Sequence, residues 1–147
     1  MDSDLAPYSV HEAIISGDID DVKDSLLDGL NLETRSEMGQ TLLMTAANEG
    51  QLEIVRLLLD GGADVDLGSQ NGSTSLICAA VNGYHDIVEL LLERGADVEK
   101  VDEDGNSALI CASQMGHSDV AQILLENGAV VDQEIKLVSE KIVTVAP

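Results

Sequence analysis

The stretch GQTLLMTAANEGQLEIVRLLLDGGADVD, residues 39–66, decides how this chain folds. It returns as GSTSLICAAVNGYHDIVELLLERGADVE at 72–99 and as GNSALICASQMGHSDVAQILLENGAVVD at 105–132. Gly39, Gly72 and Gly105 stand 33 residues apart, as do Gly50, Gly83 and Gly116, and Gly62, Gly95 and Gly128. No residue is inserted or deleted between the copies. A worn copy precedes them, with Tyr8, Ala13, Gly17 and Gly29 in register with Thr41, Ala46, Gly50 and Gly62. A fixed period of this length marks stacked supersecondary units, each burying its apolar face only against a neighbour.

Within a copy the residues predict two short helices and a turn. Thr41, Thr74 and Ser107 stand where a hydroxyl caps a helix N-terminus. An alanine-rich first helix then runs to Gly50, Gly83 or Gly116. The second helix carries Ile54, Val55, Leu57 and Leu58 and their counterparts at helical spacing, and stops at the glycine of Gly-Ala-Asp. Val65–Gln70 and Val98–Glu103 are left to cross to the next unit as extended hairpins. The expected layout is one domain, 1–147, with units at 7–38, 39–71, 72–104 and 105–132 and a segment 133–147 beyond them. Apolar residues make up 44% of the chain, with no Phe or Trp and only Tyr8 and Tyr84, so Leu, Ile, Val and Ala must form the core.

Charge restricts the partners. Twenty-eight acidic side chains oppose seven basic ones, for a net −21. Nucleic acids and anionic membranes are bound through Lys and Arg, so both are excluded as partners. The longest apolar run, Leu76 to Val81, is six residues, against about 20 for a membrane span. The acidic start, MDSDLAPYSV, has no apolar signal core, and two cysteines make no disulfide framework. A cytoplasmic or nuclear location is the expectation.

The shared pattern G-x-T-x-L-x-x-A-A-x-x-G-x-x-x-I-V-x-x-L-L-x-x-G-A-D-V resembles the ankyrin repeat over about residues 7–132. The resemblance implies an all-α solenoid of helix-turn-helix units joined by β-hairpin-like loops. Three departures stand out. The usual Thr-Pro-Leu-His becomes Thr41-Leu-Leu-Met44, Thr74-Ser-Leu-Ile77 and Ser107-Ala-Leu-Ile110, and only His11 occupies the family's histidine position. The asparagine that usually follows Gly-Ala-Asp-Val is Asp66, Glu99 and Asp132, and both sets of changes are expected to lose local hydrogen bonds but not the period or the packing pattern. The first unit places Asp21 and Asp24 where Ile54 and Leu57 stand in the second, as an amino-terminal cap with a polar outer face requires. Ser25, at the Leu58 position, is polar without an evident reason.

Catalysis has little to stand on. Cys78 and Cys111 are repeat equivalents on successive first helices, and packed helices sit about 8–10 Å apart, beyond the roughly 7 Å reach of a disulfide. Both read as small buried thiols. His85 and His117 fall between helices with no reason to face a cysteine, and dispersed His and Cys residues make no zinc site. Asp102-Glu-Asp-Gly-Asn106 lacks the spacing of a calcium loop, because its glycine puts Lys100 at position one. Asn71-Gly72-Ser73 is a formal glycosylation sequon that reads as a turn. No enzyme activity, metal or cofactor is expected.

What remains is recognition. The resemblance implies a concave surface formed by hairpin tips and the exposed faces of the first helices. By register this comprises Glu37, Met38, Gln40, Asn48 and Glu49 in the second unit. The third supplies Gln70, Asn71, Ser73, Val81 and Asn82, and the fourth Glu103, Asp104, Asn106, Gln114 and Met115. The set holds four acids and no Lys or Arg. The expected function is non-enzymatic binding of a protein or peptide, basic or polar in character, by a monomer. The alternative is a structural or designed array, or a homo-oligomer joined through the carboxyl tail.

That tail, QEIKLVSEKIVTVAP at 133–147, spaces Ile135, Val138, Ile142 and Val145 as a short amphipathic helix that would cap the last unit; the alternatives are a partner-binding tail and, over the β-branched run Ile142 to Val145, a strand. Deleting it should then expose Leu124 and Leu125, at about 1.5–3 kcal/mol per aliphatic side chain. Thermal melts and sedimentation should show a lower Tm or association. A truncated chain that behaves like the full one overturns capping.

Overall fold

The computed structural model describes residues 6–130. Eight helices follow in order: α1 Ala6–Ser16, α2 Ile19–Leu27, α3 Leu42–Asn48, α4 Leu52–Asp60, α5 Ser75–Asn82, α6 His85–Glu93, α7 Ala108–Gln114 and α8 Ser118–Glu126. Odd-numbered helices stack in one layer and even-numbered ones in a second. Each odd helix also packs against the even helix that follows it, giving four antiparallel pairs. The expected all-α solenoid is what forms. Segment 133–147, read as a cap or tail, and Asp132 lie outside the described residues.

The first helices start where their hydroxyls dictate. Thr41, Thr74 and Ser107 hold extended backbone angles and accept the backbone N–H of Met44, Ile77 and Ile110 at 3.1, 3.3 and 3.2 Å. Such a cap satisfies one of the four donors that a helix start leaves unpaired. In α3 every residue from Leu42 to Ala47 is buried, and in α5 every residue from Ser75 to Ala80. Ala46, Ala47, Ala79, Ala80 and Ala112 lie at the centre of the stack with no exposed surface. Their short side chains let the helices approach closely, which is how the core closes without large aromatics.

Asp21 and Asp24 face solvent, and Val22 is the one fully buried residue of α2. Ser25 satisfies itself, donating its hydroxyl to the Asp21 carbonyl at 2.9 Å. The connections are tighter than extended hairpins. Single antiparallel bridges pair Arg35 with Thr41 and Val101 with Ser107, and Ser69 N–H closes the middle turn on the Ser73 carbonyl at 2.9 Å. Among the described residues no continuous strand forms, because each turn closes over so few residues that one bridge completes it.

Two of the acidic replacements after Gly-Ala-Asp-Val, Asp66 and Glu99, make hydrogen bonds between units. Asp66 accepts the Asp97 N–H at 2.9 Å, and Glu99 accepts the Val130 N–H at 3.0 Å, each from the following unit. A carboxylate oxygen serves a backbone donor as well as an amide oxygen does, and a charged acceptor strengthens the bond.

A second joint is steric. Gln51, Tyr84 and His117 each lay a side chain over the glycine of the preceding unit, Gly17, Gly50 and Gly83. A Cβ on Gly83 would stand 2.7 Å from His117 Nδ1, and Gly83 holds a left-handed φ of +74°. Gly116 has nearly the same φ, +77°, with nothing within 4 Å of where a Cβ would stand. Gly116→Ala should therefore show the backbone cost alone, about 1–2 kcal/mol. Gly83→Ala should cost about 1–3 kcal/mol more from overpacking. Urea denaturation of the two variants checks this, and equal losses would mean that the His117 ring moves aside freely.

Candidate functional site

Burial of the first helices leaves little of them at the surface. In α3 and α5 solvent reaches only the carboxyl end, in α7 Ile110 and Gln114, and in α1 from Val10 onward Glu12, Ile15 and Ser16. Among the expected site residues, Glu37, Met38, Asn48, Glu49, Gln70, Asn71, Asn82, Glu103, Asp104, Gln114 and Met115 are exposed, and Gln40, Ser73, Val81 and Asn106 half-buried. Met38 is 80% exposed, an unusual position for so apolar a side chain.

Polar contacts tie these residues into one edge. Asn82 donates from Nδ2 to Asn48 Oδ1 at 2.9 Å and to the Cys78 carbonyl at 2.8 Å, linking α5 to α3. Glu103 N–H reaches the Asn71 carbonyl at 2.8 Å, joining two successive turns. Asn71 Oδ1 accepts the Ser73 N–H at 3.1 Å and the Ser69 hydroxyl. Asp102 Oδ1 takes the N–H groups of Asp104 and Asn106, both at 2.9 Å. The tips are thus held in shape before any partner arrives.

A cleft of about 430 Å³ opens where α1 leans on α3. It gathers Glu37, Met38, Gln40, Asn48 and Glu49 with His11, Glu12, Ile15, Arg35, Ser36 and Thr45. The residues of the third and fourth units, Gln114 and Met115 among them, do not line it. Sequence reasoning missed the contribution of α1 because it mapped the groove from the better-formed units. Register alone would have matched Ile15 to Asn48; the reach of His11 across to α3 needed coordinates. Arg35, at the rim, donates from Nη1 to the carbonyls of Gly39 and Gly68, both at 2.8 Å, so the guanidinium staples two turns together.

The remaining chemistry is structural. His85 opens α6 rather than lying in a loop, and His117 is the residue before α8, with its Nε2 3.0 Å from the Val81 carbonyl. Cys78 and Cys111 are buried and free. Burial pushes the Cys78 thiol up, and Cys111 is pushed up to about 11, by burial first and then by the negative fields of Asp102 and Cys78. Thiols held this way are protonated at neutral pH and are poor nucleophiles. Among the described residues no three His, Cys, Asp or Glu side chains converge as metal ligands, and no helix is long and apolar enough to cross a membrane.

A family model described as ankyrin repeats, three copies, matches residues 10–102, and a single ankyrin repeat matches 104–136. The chain belongs to the ankyrin repeat family. No curated protein matches it. Ankyrin arrays are in general protein–protein interaction modules and typically carry no enzymatic activity, and this one presents the polar edge just described.

Burial lowers the pKa of His11, in the cleft, below its ordinary value of 6.5. Its folded form resists the proton that the unfolded chain accepts. Stability is therefore fully present above about 6.5 and is lost as pH falls below that value. Melts at pH 7.5 and pH 5.5 should show a larger fall for the native protein than for His11→Asn. Equal falls would mean that His11 takes up its proton without cost.

Proposed function

We propose that this ankyrin array is a monomeric, non-enzymatic receptor for a basic or polar, partly extended segment of a partner protein. The segment lies along the turns and the carboxyl ends of α3, α5 and α7. One observation carries the reading. Glu12, Glu37, Glu49, Glu103 and Asp104 all face solvent on this edge, while the cation bordering the cleft, Arg35, is committed to backbone carbonyls. Arg56 and Arg94, by contrast, sit on or just after second helices, paired with Glu53 and Asp60 at 3.8 and 2.7 Å. The concave edge thus keeps its negative potential, which steers a basic partner and speeds its association.

Met38, Val81 and Met115 add apolar contact area along the same edge. Aromatic anchors, frequent at binding hot spots, are absent from the proposed contact residues, so the partner supplies any that the interface uses. Two buried free thiols suit a reducing cytoplasmic or nuclear compartment.

The test is calorimetric titration against a partner captured by crosslinking pull-down. Glu49→Lys with Asp104→Lys should weaken binding by about 1–2 kcal/mol in total, since each exposed charge pair is worth roughly 0.2–1 kcal/mol. Glu89→Lys with Glu93→Lys, on α6, should change it much less. Rising salt should weaken the native complex by screening over about 8 Å. Equal losses from both pairs would reduce the effect to overall charge, and a larger loss from the α6 pair would put the interface on the opposite layer.

A further inference from the structure

Asparagine precedes glycine three times in the chain, at Asn71-Gly72, Asn82-Gly83 and Asn127-Gly128. Glycine has no side chain to shield its backbone nitrogen, so in such a pair that nitrogen can attack the carboxamide carbon of the asparagine. All three asparagines are exposed. The three glycine N–H groups are engaged alike, by the carbonyls of Ser69, Ala80 and Leu125 at 2.9, 3.2 and 3.1 Å. The pairs differ in how the carboxamide is held.

Asn82 and Asn127 are anchored through their amide nitrogens. Asn82 Nδ2 donates to the Cys78 carbonyl at 2.8 Å and to Asn48 Oδ1 at 2.9 Å, and Asn127 Nδ2 donates to the Ile123 carbonyl at 2.8 Å. Both carboxamides are thereby turned back along their helices, away from the glycine that follows. Asn71 is held by its oxygen instead. Its Oδ1 accepts the Ser73 N–H at 3.1 Å and the Ser69 hydroxyl. A side chain that reaches from residue 71 to the N–H of residue 73 arches over the Gly72 peptide between them. Two donors on one carbonyl oxygen draw electron density from its carbon and stabilise the oxyanion that attack creates there.

We propose that Asn71 is a site of spontaneous deamidation, with the Gly72 nitrogen as nucleophile and water as the only co-reactant. The Gly72 nitrogen bonds to Asn71 Cγ, the Cγ–Nδ2 bond breaks, and the amide leaves with the Gly72 proton as ammonia. Water then opens the cyclic imide and a proton passes to solvent. Opening at Cγ gives aspartate on an unchanged backbone, whereas opening at the main-chain carbonyl carbon gives isoaspartate, longer by one methylene. Ser69 and Ser73 close this turn by a backbone bond of 2.9 Å, so the folded chain favours the aspartyl product.

That product suits the tip. Asn71 uses its side chain here as an acceptor, and a carboxylate accepts the same two bonds more strongly. At Asn82 and Asn127 the same exchange would remove a donor and set a carboxylate against the Cys78 or Ile123 carbonyl. Where the edge receives a basic segment, as proposed above, conversion adds a carboxylate beside Glu103, whose N–H bonds the Asn71 carbonyl. The chemistry itself is measured on the free chain, so its failure and the failure of that reading are separate results.

The experiment follows the full chain at neutral pH and 37 °C, folded and in concentrated urea, by peptide mapping and mass spectrometry of the three pairs. In the folded chain position 71 should convert at least about fivefold faster than 82 or 127, in line with the loss of one or two hydrogen bonds needed to free the latter. In urea the three rates should come together. Ser69→Ala should slow position 71 by about two- to tenfold, the worth of one neutral hydrogen bond, and leave 82 and 127 unchanged. Asn71→Asp should melt with the native chain, and Asn82→Asp below it. Conversion at 71 no faster than at 82 and 127 in the folded chain overturns the proposal, as does no conversion at all. An excess at 71 that persists in urea overturns the structural cause in favour of neighbouring sequence. An unchanged or faster rate in Ser69→Ala overturns the part given to the two donors, and a lower melt for Asn71→Asp overturns the fit of the product.

Discussion

No unit of this chain can bury its own first helix. Six consecutive residues of α3 and six of α5 are shut away from solvent, which a helix achieves only with neighbours on nearly every side. Stacking supplies them, and the alanines at the contacts permit the close approach that stacking needs. The proposed function rests on the same constraint. With α3 and α5 buried up to their last turn, what is left for a partner on the proposed reading is Asn48, Glu49, Val81, Asn82, Gln114 and Met115 and the turns between units.

Those turns would be poor recognition elements if they were loose. Ordering a loop on binding consumes affinity, and a loop that is already ordered avoids that loss. Here the order comes from bonds that cross between units: Arg35 to Gly68, Asn71 to Glu103, Asp66 to Asp97 and Glu99 to Val130. Each involves at least one backbone group, and three of the four also use a side chain, of Arg35, Asp66 or Glu99. None depends on Glu37, Met38 or Asp104, so those side chains are left free of the bonds that join the units.

The fold was legible because its information is periodic. A glycine recurring every 33 residues, a hydroxyl ahead of α3, α5 and α7 and Asp21 and Asp24 in place of apolar residues each correspond to a feature of the structure. The reading of Asp66 and Glu99 as lost bonds failed because it compared residue types rather than atoms; the backbone donor needs only an oxygen within reach. The cleft was half legible. Glu37, Met38, Gln40, Asn48 and Glu49 follow from register, but the share of α1 depends on how one helix leans on the next. His11 meets Thr45 at a separation of 34 residues, the same offset that joins Asn48 to Asn82 and each glycine seat to its occupant, an offset that alignment of the copies at 33 does not show.

The glycine seats under Gln51, Tyr84 and His117 have a consequence for how such a chain diverges. Three chemically unlike side chains rest on three identical seats. The seat demands only that no Cβ be present, whereas the occupant has merely to be flat or slender enough to lie across it. Copies of the unit can therefore drift apart at the occupant, one junction at a time, and remain interchangeable at the seat. A duplicated unit would find a neighbour that accepts it as long as the residue it brings is flat or slender, so the number of units can change more easily than the geometry between them.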